Sequence, residues 1–244
     1  MLAANASFIE TFGLGMGGVV CIVGAGGKTS LLMHLAGEGR SLGYRTLVST
    51  TTKIMIPDRV QVDALDLSGH GFVGAQKQAG IYVAGKQLSS NKMMGLAEDI
   101  LWQNTRGGDL TLLEADGAAT KSLKGWLQSE PVIPHFTTHT IGVIDIQAVG
   151  QKVADDLVHR LDCFCRITGA QEGESVTVEH LQNMVTHDQG LFFHGTGKLL
   201  VYINKVESTE DKYYAKELQA SLPEYSVFMG SLKMQVIFAN SENM

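Results

Sequence analysis

Cysteine is scarce in this 244-residue chain, with three residues, Cys21, Cys163 and Cys165. So irregular a set excludes a disulfide framework and fits a reducing cytoplasm. Cys163 and Cys165 are too close together and too isolated for a four-ligand zinc site. No stretch approaches the roughly 20 apolar residues of a membrane span, so a membrane partner is not expected. Basic residues are in the minority, 19 Lys and Arg against 25 Asp and Glu, for a net charge of −6. That balance argues against nucleic acid as the main partner but leaves a nucleotide open, because its phosphates respond to a local site. The first fifteen residues contain Glu10 and no Lys or Arg, unlike a signal peptide, and the expected location is the cytoplasm. No internal repeat, low-complexity tract or flexible linker is present.

What remains is an ordinary globular composition, 44% hydrophobic and 18% charged, long enough to bury a sizeable core. The chain is organised around Val19–Leu35. Val19–Val23 has the composition of a strand buried on both faces. The turn Gly24-Ala25-Gly26-Gly27 follows. Lys28-Thr29-Ser30 then opens a stretch with Leu31, Leu32, Leu35 and Ala36 at helical spacing. Strand, glycine turn, Lys-Thr and helix form the layout of a phosphate-binding P-loop. Glycines let backbone N–H groups converge on a phosphate, and an open helix N-terminus adds further donors. Lys28 would reach the β- and γ-phosphates and Thr29 would ligate Mg²⁺. The spacing departs from G-x-x-x-x-G-K-[ST]: Ile22 stands where the first glycine belongs, so the loop is shorter.

A lead-in helix is expected over Asn5–Phe12, and the helix from Lys28 should end near Gly43. Tyr44–Val48 reads as a second strand, reached through one helix and therefore parallel to the first. It runs into Ser49-Thr50-Thr51-Thr52-Lys53 at the end of the sheet where ligands bind. Thr50, Thr51, Thr52 and Lys53 are candidates for a loop that senses the γ-phosphate; the alternative is a plain turn. Residues 56–95 look less regular, with strands near Val60–Leu67 and Ile81–Ala84, and Lys92–Thr105 reads as a helix. Asp109–Glu114 is a buried strand that ends in Glu114-Ala115-Asp116, a Walker B arrangement. In an extended segment Glu114 and Asp116 point the same way. One would organise Mg²⁺ while the other orients water or a substrate hydroxyl.

Lys121 and Lys124 would neutralise a second anionic group or are simply exposed. His135 and His139 have no helix to unite them. Thr140–Ile146 reads as a strand and Asp155–Leu161 and Val178–His187 as helices, while Arg160 is a candidate anion contact or simply a surface arginine, the second being favoured on residue type alone. Leu199–Ile203 is a strand followed by Asn204-Lys205-Val206-Glu207. That run is similar to the N-K-x-D element that reads guanine, with Glu207 where aspartate is usual. A helix over Glu210–Ser221 and strands near Tyr225–Met229 and Val236–Phe238 complete one α/β domain.

Taken together these segments resemble the YqeC family, whose members are accessory proteins for selenium-dependent molybdenum hydroxylases. The resemblance rests on VGAGGKTSLL (Val23–Leu32), STTTKI (Ser49–Ile54), LLEADGA (Leu112–Ala118), EPVIP (Glu130–Pro134), VHR (Val158–Arg160) and INKVE (Ile203–Glu207). It implies a three-layer P-loop NTPase-like fold with a mostly parallel central sheet, and a role in maturing a molybdenum hydroxylase or supplying its cofactor. It also adds weight to Lys121, Lys124 and Arg160. The expected activity is Mg²⁺-dependent hydrolysis of GTP or ATP. The alternatives are a kinase or nucleotidyltransferase acting on a molybdopterin-type cofactor, and a nucleotide-sensing chaperone without catalysis.

Overall fold

The structure is a computed structural model that describes residues 7–74 and 78–238. Its centre is the predicted apolar strand, β1 (Gly18–Gly24), every residue of which is buried. Eight more strands join it: β2 (Arg45–Thr50), β3 (Ala64–Asp66), β4 (Gly80–Ala84), β5 (Leu110–Glu114), β6 (His139–Asp145), β7 (Lys198–Asn204), β8 (Ser226–Ser231) and β9 (Val236–Phe238). The spatial order is β9-β8-β7-β6-β1-β5-β2-β4-β3. Every pairing is parallel except β8 with β9. Parallel strands need crossovers, and the crossovers lay helices on both faces.

The two faces of β1 follow the strand period of two. Val20 and Ile22 face helices α1 (Phe8–Phe12) and α2 (Lys28–Ser41), packing with Phe8, Phe12, Leu31, Leu32 and Leu35. Cys21 and Val23 face the opposite layer, built from α3 (Glu98–Thr105), α4 (Leu161–Thr168), α5 (Val178–Thr186) and α6 (Thr209–Ala220). The result is the expected three-layer α/β fold with a mostly parallel central sheet. Burial pushes the Cys21 thiol up to about 12, against a smaller opposing pull from Thr137, so this cysteine is an inert core residue. Cys163 and Cys165 lie in α4.

Two helix expectations fail for tertiary reasons. Lys92–Thr105 divides at Gly95. Lys92–Met94 is a strand that pairs antiparallel with Lys53–Met55 and with Lys86–Gln87, and only Glu98–Thr105 is helical. Met93 had helical spacing from Leu96 and Ile100, but it is buried opposite Ile54 in that ribbon. Asp155–Leu161 is not a helix either. Val158–His159 forms a short parallel pairing with Leu123–Lys124, and Arg160 takes a left-handed backbone (φ 59°) before α4 begins at Leu161. Residues 56–95 supply β3 and β4 to the main sheet as well as part of the ribbon. Of the expected N-terminal helix, Asn5 and Ala6 lie outside the described residues.

Helix α1 is held down by a charge on α2. Glu38 accepts hydrogen bonds from the Phe8 and Ile9 N–H groups at 3.0 and 2.9 Å and from the Ser7 hydroxyl at 2.9 Å. His34 Nε2 lies 3.3 Å from the same carboxylate. Burial alone would raise the Glu38 carboxyl, but the bonds from His34, Ile9, Phe8 and Ser7 outweigh it and bring it down to about 2. A carboxyl depressed in the folded state stabilises fully above its unfolded value, near 4.5, and loses that contribution as the pH falls toward 2. Glu38→Gln is therefore expected to cost about 1–3 kcal/mol at neutral pH and almost nothing near pH 2. Urea titrations at the two pH values check it; an equal loss at both would sink the assignment.

Candidate functional site

The C-terminal ends of β1, β2, β5, β6 and β7 open into a cleft of about 1150 Å³. The turn after β1 forms its floor. Gly24, Gly26 and Gly27 have φ of 98°, 74° and 134°, backbone conformations that L side chains rarely adopt. A β-carbon on Gly26 would overlap Asp145, and one on Gly27 would overlap the Asn204 side chain. Ala25 is buried between them. Gly27 caps α2 with no side-chain hydrogen bond to the helix, so the first N–H groups of α2, on Lys28, Thr29 and Ser30, face this end of the sheet uncapped by a side chain.

Lys28 is only 5% exposed. Its ammonium donates to the Gly24 carbonyl at 2.7 Å and lies 3.2 Å from Asp116 Oδ1 and 3.7 Å from Glu114 Oε1. The two carboxylates thus face the same lysine, as their alternation implies. Their surroundings differ. Glu114 lines the cleft and accepts from the Thr29 hydroxyl at 2.6 Å. Burial pushes its carboxyl above the usual range, against the pull of Lys28 and Thr29. Asp116 is fully buried behind the turn and does not line the cleft. Its Oδ2 accepts from the Gly24 N–H at 3.1 Å and the Trp126 indole at 2.8 Å, with the Lys124 ammonium at 3.0 Å. Oδ1 has no hydrogen-bond partner and is met by the Lys28 ammonium. Burial would raise this carboxyl, but Lys28 and Lys124 hold it below the ordinary aspartate range.

The chain of charge continues away from the cleft. Lys124, also fully buried, donates to the Gly117 carbonyl at 2.7 Å and to Glu130 at 3.2 Å. Glu130 is gripped by both terminal nitrogens of the Arg160 guanidinium, a geometry its left-handed backbone presents. Lys28, Asp116, Lys124, Glu130 and Arg160 therefore form one network, although only Lys28 reaches the cleft. Lys121 lines the cleft, donates to the Val158 carbonyl at 3.2 Å and pairs with the exposed Asp155. The threonines after β2 are tied down. Thr50 donates to the Glu114 carbonyl at 2.6 Å and Thr51 to the Val132 carbonyl at 2.7 Å, while the Thr52 N–H donates to the Thr50 hydroxyl at 3.0 Å. Of that run only Lys53 lines the cleft.

At the other end, Asn204, Lys205 and Glu207 all line the cleft. Asn204 donates to the Gly26 carbonyl at 2.9 Å, and its oxygen accepts from the Leu232 N–H at 3.2 Å. Lys205 pairs with Asp145, and Glu207 accepts from Ser231 at 3.1 Å and Lys233 at 3.0 Å. Sequence reasoning missed Asp145, Trp126 and Lys233. Asp145 carries the same signal as Glu114, a polar residue ending an apolar strand. Trp126 and Lys233 have no local signal, because their partners are distant in the chain.

The oxygen pair Thr29 and Glu114 suits a hard divalent cation such as Mg²⁺, which takes one or two protein ligands and completes its shell with phosphate oxygens and water. Among the described residues no three His, Cys, Asp or Glu side chains converge to hold a metal on their own. None of the described helices is long and apolar enough to cross a membrane.

The profile of the YqeC protein family matches residues 20–162. That span includes the glycine turn, Glu114, Asp116, Lys121, Lys124 and Arg160, and stops before Asn204–Glu207. The chain is also 30% identical over 216 residues to "Uncharacterized protein YqeC" of Escherichia coli (strain K12), a match covering 86% of this chain and 84% of the relative.

Proposed function

The chain belongs to the YqeC family, and from that premise we propose that it is a Mg²⁺-dependent P-loop protein that binds and hydrolyses a nucleoside triphosphate, GTP in preference to ATP. The observation that carries the reading is the convergence of Lys28, Thr29 and Glu114 on the glycine turn, at the carboxyl end of a parallel sheet. The N–H groups of Gly26 and Gly27 and the start of α2 hold the β-phosphate, since those of Gly24 and Ala25 are bonded to Asp116 and to the Val143 carbonyl. Lys28 stands between the turn and the carboxylates and exchanges its bond to the Gly24 carbonyl for one to the γ-phosphate. Thr29 and Glu114 would hold Mg²⁺, which would offset the phosphate charge. Glu114, the carboxylate that faces the cleft, orients the attacking water. Asp116 acts behind the turn, holding Lys28 and the Gly24 N–H in place.

The base lies toward β6 and β7. Adenine and guanine differ at the edge that a carboxylate reads: guanine offers N1–H and an exocyclic amine side by side. Glu207 supplies that acceptor, with the exposed Lys233 as its exchangeable partner. GTP is expected to bind about tenfold more tightly than ATP, and Glu207→Ala to abolish the difference. Calorimetry with each nucleotide, with and without Mg²⁺, tests both points. Binding of neither nucleotide would overturn the reading, and equal affinities would overturn the base assignment. In this reading hydrolysis serves the maturation or cofactor supply of a molybdenum- and selenium-dependent hydroxylase, the role that the family resemblance implies. Release of phosphate without an added acceptor distinguishes hydrolysis from transfer.

A further inference from the structure

The cleft carries more charged groups than the nucleotide reading uses. It is lined by six lysines and two glutamates, in a chain whose net charge is −6. The strand order separates these charges into two groups about the glycine turn. Toward β6 and β7 lie Lys205 and Lys233, each already paired, with Asp145 and Glu207 respectively. Lys53 and Lys92 lie on the ribbon beyond β2, and Lys121 lies in the loop after β5, where it is bonded to Val158 and Asp155.

This second group is poorly neutralised. Among the described residues the ammoniums of Lys53 and Lys92 have no hydrogen-bond or ion-pair partner. Lys121 pairs with Asp155, a carboxylate 85% exposed, and such a pair gives up little when exchanged for another anion. The two unpartnered lysines are set by register. Lys53 stands opposite Met94 and Met55 opposite Lys92, so all four share one face of the ribbon. Lys53, Met55 and Lys92 line the cleft, and Met55 is half-exposed. The loop Gly117–Ser122 also lines it, with Ala119 and Thr120 both in the left-handed region. Three lysines and a half-exposed thioether thus line the same cleft as Glu114.

The geometry points to a second ligand site in this half of the cleft, for a small organic phosphate bound next to the triphosphate. Its phosphate is held by Lys53, Lys92 and Lys121, and its apolar body lies on Met55. The inference rests on the nucleotide reading for its neighbour but not for its own residues.

The test is lysine footprinting by acetylation, read by mass spectrometry, with phenyl phosphate and inorganic phosphate as probes. It is run on the whole chain with and without Mg²⁺ and a non-hydrolysable triphosphate, alongside the nucleotide affinity itself. Phenyl phosphate is expected to protect Lys53, Lys92 and Lys121 with the nucleotide bound, at about tenfold lower concentration than inorganic phosphate, because of the methionine contact. Lys92→Glu, a change on the exposed ribbon, is expected to weaken the protection of Lys53 and Lys121 about tenfold more than it alters nucleotide affinity. Nucleotide binding without protection of the three lysines overturns the second site alone. Protection without nucleotide binding leaves the second site standing and overturns the P-loop reading. Equal potency of the two probes overturns the organic character of the ligand.

Discussion

Lys28→Ala is expected to weaken Mg²⁺-nucleotide binding by about a hundredfold or more, the worth of two charge-assisted hydrogen bonds to phosphate. It is also expected to destabilise the protein without any nucleotide. Lys28 is the cation between Glu114 and Asp116, both nearly or fully buried. Its removal leaves two carboxylates facing one another with one counter-charge fewer, and breaking such a buried arrangement costs about 3–5 kcal/mol. Part of that cost is recovered by protonating Glu114, whose carboxyl burial already pushes upward. The loss of stability should therefore shrink as the pH is lowered. Thr29→Ala separates the two effects. Its hydroxyl is a single partner of Glu114, so it should abolish the Mg²⁺ dependence of binding while costing about 1 kcal/mol of stability. Calorimetry and thermal unfolding of both variants decide the matter. A Lys28→Ala protein that binds nucleotide as tightly as the parent would remove the ammonium from the phosphate site.

Asp116→Asn should destabilise more than any exposed change, by about 3–5 kcal/mol, although the side chains are nearly the same size. The aspartate is the shared anion of Lys28 and Lys124, and its Oδ2 also receives the Gly24 N–H and the Trp126 indole. An amide keeps the shape but leaves two buried ammoniums without their common counter-charge. Because the Asp116 carboxyl is depressed in the folded protein, its contribution is present above the unfolded aspartate value, near 3.9, and fades as the pH falls below it. Parent and variant should accordingly converge in stability on acidification. A double-mutant cycle with Lys124→Met checks the network directly: a coupling of at least about 1 kcal/mol is expected for residues in direct contact. Additive losses would show that the Lys124 pairing contributes nothing.

Residue order carried the local parts of this site. The apolar run Val19–Val23 has no polar face and is rich in β-branched residues, which marks a central strand, and the glycines after it are required by backbone angles no other residue adopts cheaply. Lys28 and Thr29 follow from their place at the start of α2, and Glu114 from ending a buried strand that pairs with β1. That Glu114 and Asp116 point the same way was legible, because alternation along an extended chain is a local property, but not that both meet Lys28. The helix of α1 was legible, but not what holds it to α2, because Glu38 is about thirty residues away from the N–H groups it accepts.

What the chain determined by itself was the strand–turn–helix around Lys28, the buried strands and the parallel sheet, since each depends on composition and period within a few residues. Only the tertiary structure decided which carboxylate meets the cleft. Asp116 and Glu114 are chemically alike in sequence, and the difference is that Trp126, Lys124 and the Gly24 N–H close over one of them. It also decided that Lys124 and Arg160 belong to a buried network, that Thr50 and Thr51 bond to backbone carbonyls, and that Lys92 leaves a helical pattern for a ribbon opposite Met55. The physical reason is common to all of these. A side chain's charge, exposure and partners are set by groups that fold in from distant positions, and no periodicity along the chain encodes them.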